Sequence, residues 1–303
     1  MRPKLSACLT TFNRASLLDR TLATLAEQTR LPDELIVSDD CSSDRTAEIA
    51  AKWSGAFKQF VYRRNERTLN MPGNLNAAIG ACTGEYIANL HDGDCYAPSL
   101  LEEWERALDA HPTAGFVFCG LAGWPVRTRH GGGIVLFDVA PFTPGRTFFE
   151  QHFLGRVGSI VWGTVMARRS AYEMLLPFDP AFGFVSDVDM WMRMCAGHDV
   201  AYVGKPLIQL DHSPSPERAP EKYNWRHLET VRRIQQTNID RMFAGDPKRI
   251  VHERRRLERM MQRYVAARLL GRVRHGDRNG LREGLEFASR LEPPLRWIGH
   301  AFA

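Results

Sequence analysis

Short apolar runs alternate with amphipathic stretches through the first 110 residues of the chain. Residues 5–9, 35–37, 60–62 and 86–90 are brief, β-prone and bounded by polar positions, the pattern of buried strands in a parallel sheet. Between the first two, Leu18, Leu22 and Leu25 fall on one helical face, with Ser16 available as a cap and Leu31-Pro32-Asp33 as a break. Ser43-Asp44 is suited to cap a second helix through Trp53, and a third, over 74–81, stops at Thr83-Gly84 as with a glycine C-cap. An amphipathic helix over 98–110 and a short strand over 115–119 follow. This β-α-β-α-β order predicts a doubly wound α/β half-sheet.

Residues 123–158 are rich in Gly, Pro and aromatics with little periodicity, which predicts hairpins and loops shaping a substrate pocket. A later strand is expected at 206–210. After Pro214-Ser215-Pro216 and Pro220 the pattern turns helical, near 224–243, 247–270 and 279–291. The expected division is therefore an α/β domain over 1–221, with halves 1–110 and 111–221, and a helical region over 222–303.

Two predicted strands end in acids, Val37-Ser38-Asp39-Asp40 and His91-Asp92-Gly93-Asp94. In an open α/β sheet the ligand crevice lies beyond the carboxyl ends of the strands, so both clusters are expected in one cleft. Crowded carboxylates there call for a cation. Hard oxygen donors at this spacing suit Mg²⁺ or Mn²⁺ with a phosphorylated ligand. Each cluster also has a plain structural reading. Asp39-Asp40 lies beside the cap residues Ser42, Ser43 and Asp44, Asp-Gly favours a tight turn, and Asp187 and Asp189 sit at a helix start where acids complement the dipole.

Charge adds a second feature. The net charge of +5 conceals an asymmetry, because residues 222–303 hold 19 Lys+Arg against 9 Asp+Glu (+10), and the first 221 hold 21 against 26 (−5). In the helical region Ile250, Leu257, Met261 and Tyr264 form a stripe bordered by Arg254, Arg255, Arg256, Arg259 and Arg263. Two readings stay open: a packed helix with a solvated basic face, or peripheral contact with an anionic membrane. Nucleic acid is not expected, since no recognised reader module accompanies the charge. No run of about 18 apolar residues exists, so a spanning helix is not expected. Six cysteines without CxxC spacing and no signal-peptide pattern predict reduced thiols and a cytoplasmic location.

The segments LSACLTTFNR at 5–14, VSDDCSSDRT at 37–46 and Thr83-Gly84-Glu85-Tyr86-Ile87 before HDGD resemble those of the family-two inverting glycosyltransferases with the GT-A fold. So do Phe178-Asp179-Pro180, Phe182-Gly183 and the run Ser186-Asp187-Val188-Asp189-Met190-Trp191-Met192-Arg193, and the resemblance covers roughly 4–212. It implies an α/β nucleotide-diphospho-sugar transferase fold, a Rossmann-like mixed sheet flanked by helices, here with a C-terminal helical extension. It also implies roles. Thr10 and Phe12 line the nucleobase pocket with Arg14 nearby, Asp40 hydrogen-bonds the base, commonly uracil, and Asp39 supports that turn or reaches the ribose. Asp94 is the main metal ligand under the diphosphate, Asp92 contacts the ribose or the metal through water, His212 completes the metal site, and Asp187 is the general base. The chain departs from the family where HDGD stands for DxDD, Ser186-Asp187 for Glu-Asp, and Phe12 for Tyr.

These readings converge on a metal-dependent, inverting, hexosyltransferase-like enzyme moving a sugar from a nucleotide-sugar, UDP-linked, to a glycan or lipid-linked acceptor in surface polysaccharide or glycolipid synthesis. A non-catalytic nucleotide-sugar-binding or scaffold protein is the alternative from another class. A sugar nucleotidyltransferase is less favoured, because no glycine-rich, lysine-bearing phosphate loop follows the first strand.

Overall fold

In the computed structural model, which describes residues 4–124, 133–175, 177–210 and 225–292, the first four apolar runs are strands. They are β1 (Leu5–Thr11), β2 (Glu34–Asp39), β3 (Phe60–Arg64) and β4 (Tyr86–His91). Every residue of β1 and β2 is buried. That explains their unbroken apolar character, since a parallel strand is covered on both faces. β3 lies at the sheet edge and is only partly covered. The connecting helices are α1 (Ala15–Ala26), α2 (Thr46–Trp53) and α3 (Asn70–Gly80).

The second half adds β5 (Cys95–Tyr96), α4 (Leu100–Ala110), β6 (Ala114–Trp124), β7 (Gly133–Val135), β8 (Phe142–Thr143) and α5 (Gly145–Phe148). It closes with β9 (Val165–Arg168), α6 (Arg169–Leu175), α7 (Ser186–Met194) and β10 (Asp199–Gln209). The sheet order is β3-β2-β1-β4-β9-β6-β10-β5, with β7 on β6 and β8 on β10. β3, β2, β1 and β4 are mutually parallel, and so are β6 and β10. Antiparallel β9 joins the two sets. The sheet is thus mixed, as the GT-A resemblance implies. The strand expected at 206–210 is the end of the longer β10, whose register slips on either side of Pro206, a residue that cannot donate to the ladder.

Leu18, Leu22 and Leu25 of α1 are fully buried, as are Leu100, Leu101, Trp104 and Leu108 of α4, and they pack with β1, β2 and β4 in one core. Each such side chain contributes about 2–3 kcal/mol by leaving water. An aromatic cluster belongs to the later elements. Phe116 of β6 lies 5.3 Å from Trp191 of α7, which meets Phe178 edge-on at 5.8 Å.

Three local expectations are corrected. Ser16 does not cap α1, which begins at Ala15, and the Ala15 N–H donates instead to Asp44 of the next βα turn at 2.9 Å. The same carboxylate accepts the Thr46 N–H at 3.0 Å, so one acid serves the starts of both α1 and α2. Burial opposes its charge, yet these bonds hold the Asp44 carboxyl below its ordinary range. Helix α3 starts at Asn70, four residues early, with Met71 non-helical, because Asp40 accepts the N–H groups of Leu69 and Asn70 at 2.7 and 2.8 Å. Gly84 is no helix cap, since α3 ends at Gly80 with Ala81 as its C-cap. Its N–H donates to Ser6 Oγ at 2.7 Å, inside a knot where Ser6, Thr83 and Gly84 all donate to the buried carboxylate of Glu34.

The chain divides into two compact units, Met1–Phe148 with Ile160–His212, and Phe149–Ser159 with Ser213–Ala303. The segment Phe149–Ser159 thus groups with the later helices, which a single cut at 221 does not express. Those helices are α8 (Trp225–Met242), α9 (Pro247–Arg274) and α10 (Arg278–Ser289). Leu257, Met261, Val265 and Leu269 form the buried stripe of α9, four residues apart. Ile250 and Tyr264, expected in that stripe, are only half-buried. Gly284 of α10 gives room to Trp225, whose ring stacks on Phe287 at 6.0 Å. Buried Glu258 accepts Arg232 Nε at 2.8 Å, Gln236 at 3.0 Å and the Glu292 N–H at 3.1 Å.

A Cβ at residue 84 would lie 2.5 Å from Ser6 Oγ and 2.7 Å from its N, whereas one at Gly80 meets nothing within 4 Å. Gly84→Ala is expected to lower unfolding free energy by about 2 kcal/mol in urea titrations. Gly80→Ala should raise it by about 0.5 kcal/mol.

Candidate functional site

The register decides what meets at the carboxyl edge of the sheet. Thr11 of β1 pairs with Asp39 of β2, and Thr10 with His91 of β4, so the ends of all three strands are neighbours. Both acidic clusters therefore stand on one edge, as the strand reading expected. The turns that follow are laced together. Asn13, at φ 50°, donates its N–H to Ser42 Oγ and accepts the Ser43 N–H, both at 2.8 Å. Asparagine tolerates that left-handed conformation better than most residues. Thr10 is buried and Phe12 half-buried.

Asp39 is 1% exposed and holds the β2 turn from within. One oxygen accepts the Ser42 N–H at 2.9 Å and the other the Tyr62 hydroxyl at 2.5 Å. Burial and the adjacent Asp39 carboxylate push the Tyr62 phenol above its ordinary range. Asp40, 4% exposed, accepts from Asn65 Nδ2 at 3.0 Å and from the two N–H groups that open α3. Asn74 joins this network by bonding both Ser38 and Asn65.

The HDGD loop is held from three sides. The His91 N–H donates to the Tyr96 hydroxyl at 3.0 Å, and that hydroxyl stands 3.1 Å from the His91 carbonyl, which closes the loop on itself. Burial, then the charge of Asp94, keep the Tyr96 phenol far above its ordinary range. From α1, Thr21 accepts the Gly93 N–H at 2.9 Å and donates to the Asp94 carbonyl at 2.8 Å. Gly93 sits at φ 93°, a conformation that favours glycine. From the turn before α1, Arg14 reaches one oxygen of Asp92 at 2.7 Å, and Thr11 at the end of β1 reaches the other at 2.8 Å. The Thr164 hydroxyl, just before β9, lies 3.5 Å from the Asp94 carboxylate. Next to it Gly163 admits the His91 ring: a Cβ there would stand 2.5 Å from Nε2. Tyr96 itself is 3% exposed.

Asp187 lies on a segment held by other contacts. Asn76 of α3 exchanges two hydrogen bonds with the backbone of Phe178, at 2.9 and 2.8 Å. Asp179 then caps the turn at Pro180–Val185 through the Ala181 N–H at 2.8 Å, and α7 begins at Ser186. Burial raises the Asp187 carboxyl to about 7, against the Val188 N–H bond at 2.8 Å that favours its charge. Asp189 points elsewhere. It pairs with Arg193 at 2.8 Å, whose other nitrogens bond the carbonyls of Leu175 and Pro177. It ties α7 to the preceding loop.

Among the described residues no group of three or more His, Cys, Asp or Glu gathers in metal-ligand array. His212 lies outside the described residues. The HDGD loop offers two hard oxygen donors, the carboxylates of Asp92 and Asp94, 6% and 7% exposed. Mg²⁺-type ions commonly bind through one or two carboxylates plus substrate phosphates, so this set fits such an ion with a diphosphate ligand.

Tyr62, Asn65, Asn74, Tyr96, Thr21 and Thr164 support the site and were not singled out from the sequence. The asparagines at 65, 70, 74 and 76 carry a usable signal, a cluster of turn-prone amides directly after β3. Tyr96 and Thr164 carry none, because their partners come from other segments.

Residues 6–176 match the family model for glycosyl transferase family 2. The Mycobacterium tuberculosis (strain CDC 1551 / Oshkosh) protein MT1568 is 30% identical over 241 residues, 71% of this chain and 69% of that protein. Validoxylamine A glucosyltransferase of Streptomyces hygroscopicus subsp. limoneus is 41% identical over 131 residues, 42% of this chain and 29% of its own. The chain spans 66%, 51% and 29% of the length of three of the curated relatives that it matches. Among solved structures, residues 1–349 of S. aureus TarS in complex with UDP-GlcNAc superpose with a TM-score of 0.68 at 18% identity, covering 95% of this chain and 81% of that one. No helix among the described residues is long and apolar enough to cross a membrane.

A carboxyl whose folded value lies above its unfolded one destabilises the fold as it ionises, so its contribution is lost as pH rises from about 4 through about 7. Asp187→Asn removes that loss. The variant is expected to gain stability over the wild type as pH rises across this window, with the gain levelling off above pH about 7. Urea unfolding at several pH values checks it.

Proposed function

The chain belongs to glycosyl transferase family 2, and from that membership we propose that it transfers a sugar from a UDP-linked donor to an acceptor hydroxyl, with inversion at the anomeric carbon. The observation that carries the reading is the Asp187 carboxyl, raised to about 7, on a segment held by Asn76 of α3, the helix whose start is bonded to Asp40. A carboxyl raised in this way suits proton transfer near neutral pH.

In this reading Phe12 stacks on the nucleobase and Thr10 lines the pocket wall. Asp40 has three of its roughly four acceptor positions filled by Asn65, Leu69 and Asn70, which leaves one for a base N–H. Asp39 supports the turn, with both oxygens engaged by Ser42 and Tyr62. Asp92 orients Arg14 beside the diphosphate. Asp94 holds a divalent ion, Mn²⁺ or Mg²⁺, together with diphosphate oxygens, and His212 is a second candidate ligand. When bound, such an ion supplies Lewis-acid stabilisation of the leaving diphosphate. Asp187 takes the acceptor proton as attack proceeds from the face opposite the leaving group, so one displacement suffices. A base near 7 is well matched to neutral pH.

Support for the donor comes from fold neighbours crystallised with UDP-GlcNAc, with GDP-Man and Mn²⁺, and with UDP and Mn²⁺. The acceptor reading, a surface glycan or glycolipid, draws on a Campylobacter jejuni relative named as a GalNAc(5)-diNAcBac-PP-undecaprenol beta-1,3-glucosyltransferase, 34% identical over 93 residues. The second reading is a nucleotide-sugar-binding protein without turnover, favoured by HDGD, which has two acids where the family pattern DxDD has three.

The test is nucleotide diphosphate release from UDP-, GDP- and dTDP-sugars with Mn²⁺ or Mg²⁺ and candidate acceptors. Asp94→Ala is expected to abolish metal-dependent release. Asp187→Asn should lower kcat about 10²–10⁴-fold with donor affinity little changed. The wild-type rate should fall as pH drops below about 7. Tight binding of nucleotide without release, unaltered in Asp187→Asn, would establish the binding reading instead. An α-linked product from an α-linked donor would overturn the single displacement.

A further inference from the structure

The exposed face of α9 carries a pattern that the transferase reading leaves unused. Arg255, Arg259, Arg263, Leu270, Val273 and Arg274 fall within about 100° of the helix circumference. All six are exposed, Leu270 by 53% and Val273 by 40%. The opposite face is spent on the interior of the helical unit, through Leu257, Met261, Val265 and Leu269.

The acids of α9 do not neutralise this face. Glu253 and Glu258 are buried, and their partners are Arg249, Arg256 and Arg232. Arg254 is paired with Asp240. Arg255, Arg259, Arg263 and Arg274 have no acidic partner within 4 Å among the described residues. A face with unneutralised cations and large aliphatic side chains has two demands, negative charge and somewhere dry. An anionic lipid surface meets both, because headgroups take the guanidinium groups and the acyl boundary takes Leu270 and Val273. Single-stranded nucleic acid meets only the first, since aliphatic side chains offer no ring on which bases stack.

We infer that the exposed face of α9 docks the protein on anionic membrane surfaces. This attachment is independent of the transferase reading, and either can fail alone. The test is co-sedimentation of the full chain with vesicles of phosphatidylcholine, with and without phosphatidylglycerol, at physiological salt. Binding is expected only with phosphatidylglycerol present. Arg255→Glu/Arg259→Glu/Arg263→Glu should weaken it about a hundredfold or more. Leu270→Ser/Val273→Ser, with all charges kept, should weaken it about tenfold while leaving retention on immobilised heparin unchanged. Helical circular dichroism of both variants reports that the fold is intact. No binding to phosphatidylglycerol vesicles would overturn the inference. So would full vesicle binding by Leu270→Ser/Val273→Ser, which marks a general polyanion site, or tighter binding to a single-stranded RNA oligonucleotide than to vesicles.

Discussion

A carboxylate removed from water must receive hydrogen bonds in exchange, and the sheet edge is organised around that requirement. An unpartnered buried charge would cost several kcal/mol, enough to consume much of a domain's net stability. Each acid here gathers donors from elements distant in sequence. Asp40 draws in the loop before α3, Asp39 draws Tyr62 from β3, Asp92 draws Thr11 from β1 and Arg14 from the turn before α1, and Asp44 joins the starts of α1 and α2. Glu34 does the same at the opposite end of the strands with Ser6, Thr83 and Gly84. The acids are thus the reason that the turns lie where they do. A ligand meets a surface whose shape is already set.

Asp187 stands apart from this scheme. It receives one backbone bond, and burial dominates, so its carboxyl is held near neutrality rather than in the acid range. The elements around it are packed on apolar groups, with Phe178 and Trp191 fully buried. Polar satisfaction fixes the strand-edge acids, and aromatic packing holds the helix that bears Asp187. The chemistry proposed for the site rests on that contrast.

The order of strands and helices was legible because buried parallel strands read as short apolar runs and helices as a 3.6-residue stripe. The acids at 39–40 and 91–94 were legible because strand ends mark the crevice in an open sheet. Strand β9 was not, since four residues, Val165–Arg168, make too short a run to separate from a loop. Cap assignments failed where the capping group was tertiary. Ser16 is the local candidate, yet Asp44 does the work from 29 residues away, and no window along the chain contains that fact. The stripe of α9 was half legible. Steps of four continue through Val265 and Leu269, but Ile250 and Tyr264 satisfy the same periodicity without being needed in the interior.

The paired bonds between Asn76 and Phe178 join positions 102 residues apart. Closing so long a loop adds only about 0.6 kcal/mol of entropy over closing one half its length, so equilibrium stability barely registers the distance. Folding rate does register it, because non-local contacts must wait for the search that brings their ends together. During synthesis the strands from β1 to β4 emerge and can pair long before Phe178 exists, and until then the Asn76 amide has no such partner. The strand edge is therefore synthesised well before the segment that bears Asp187.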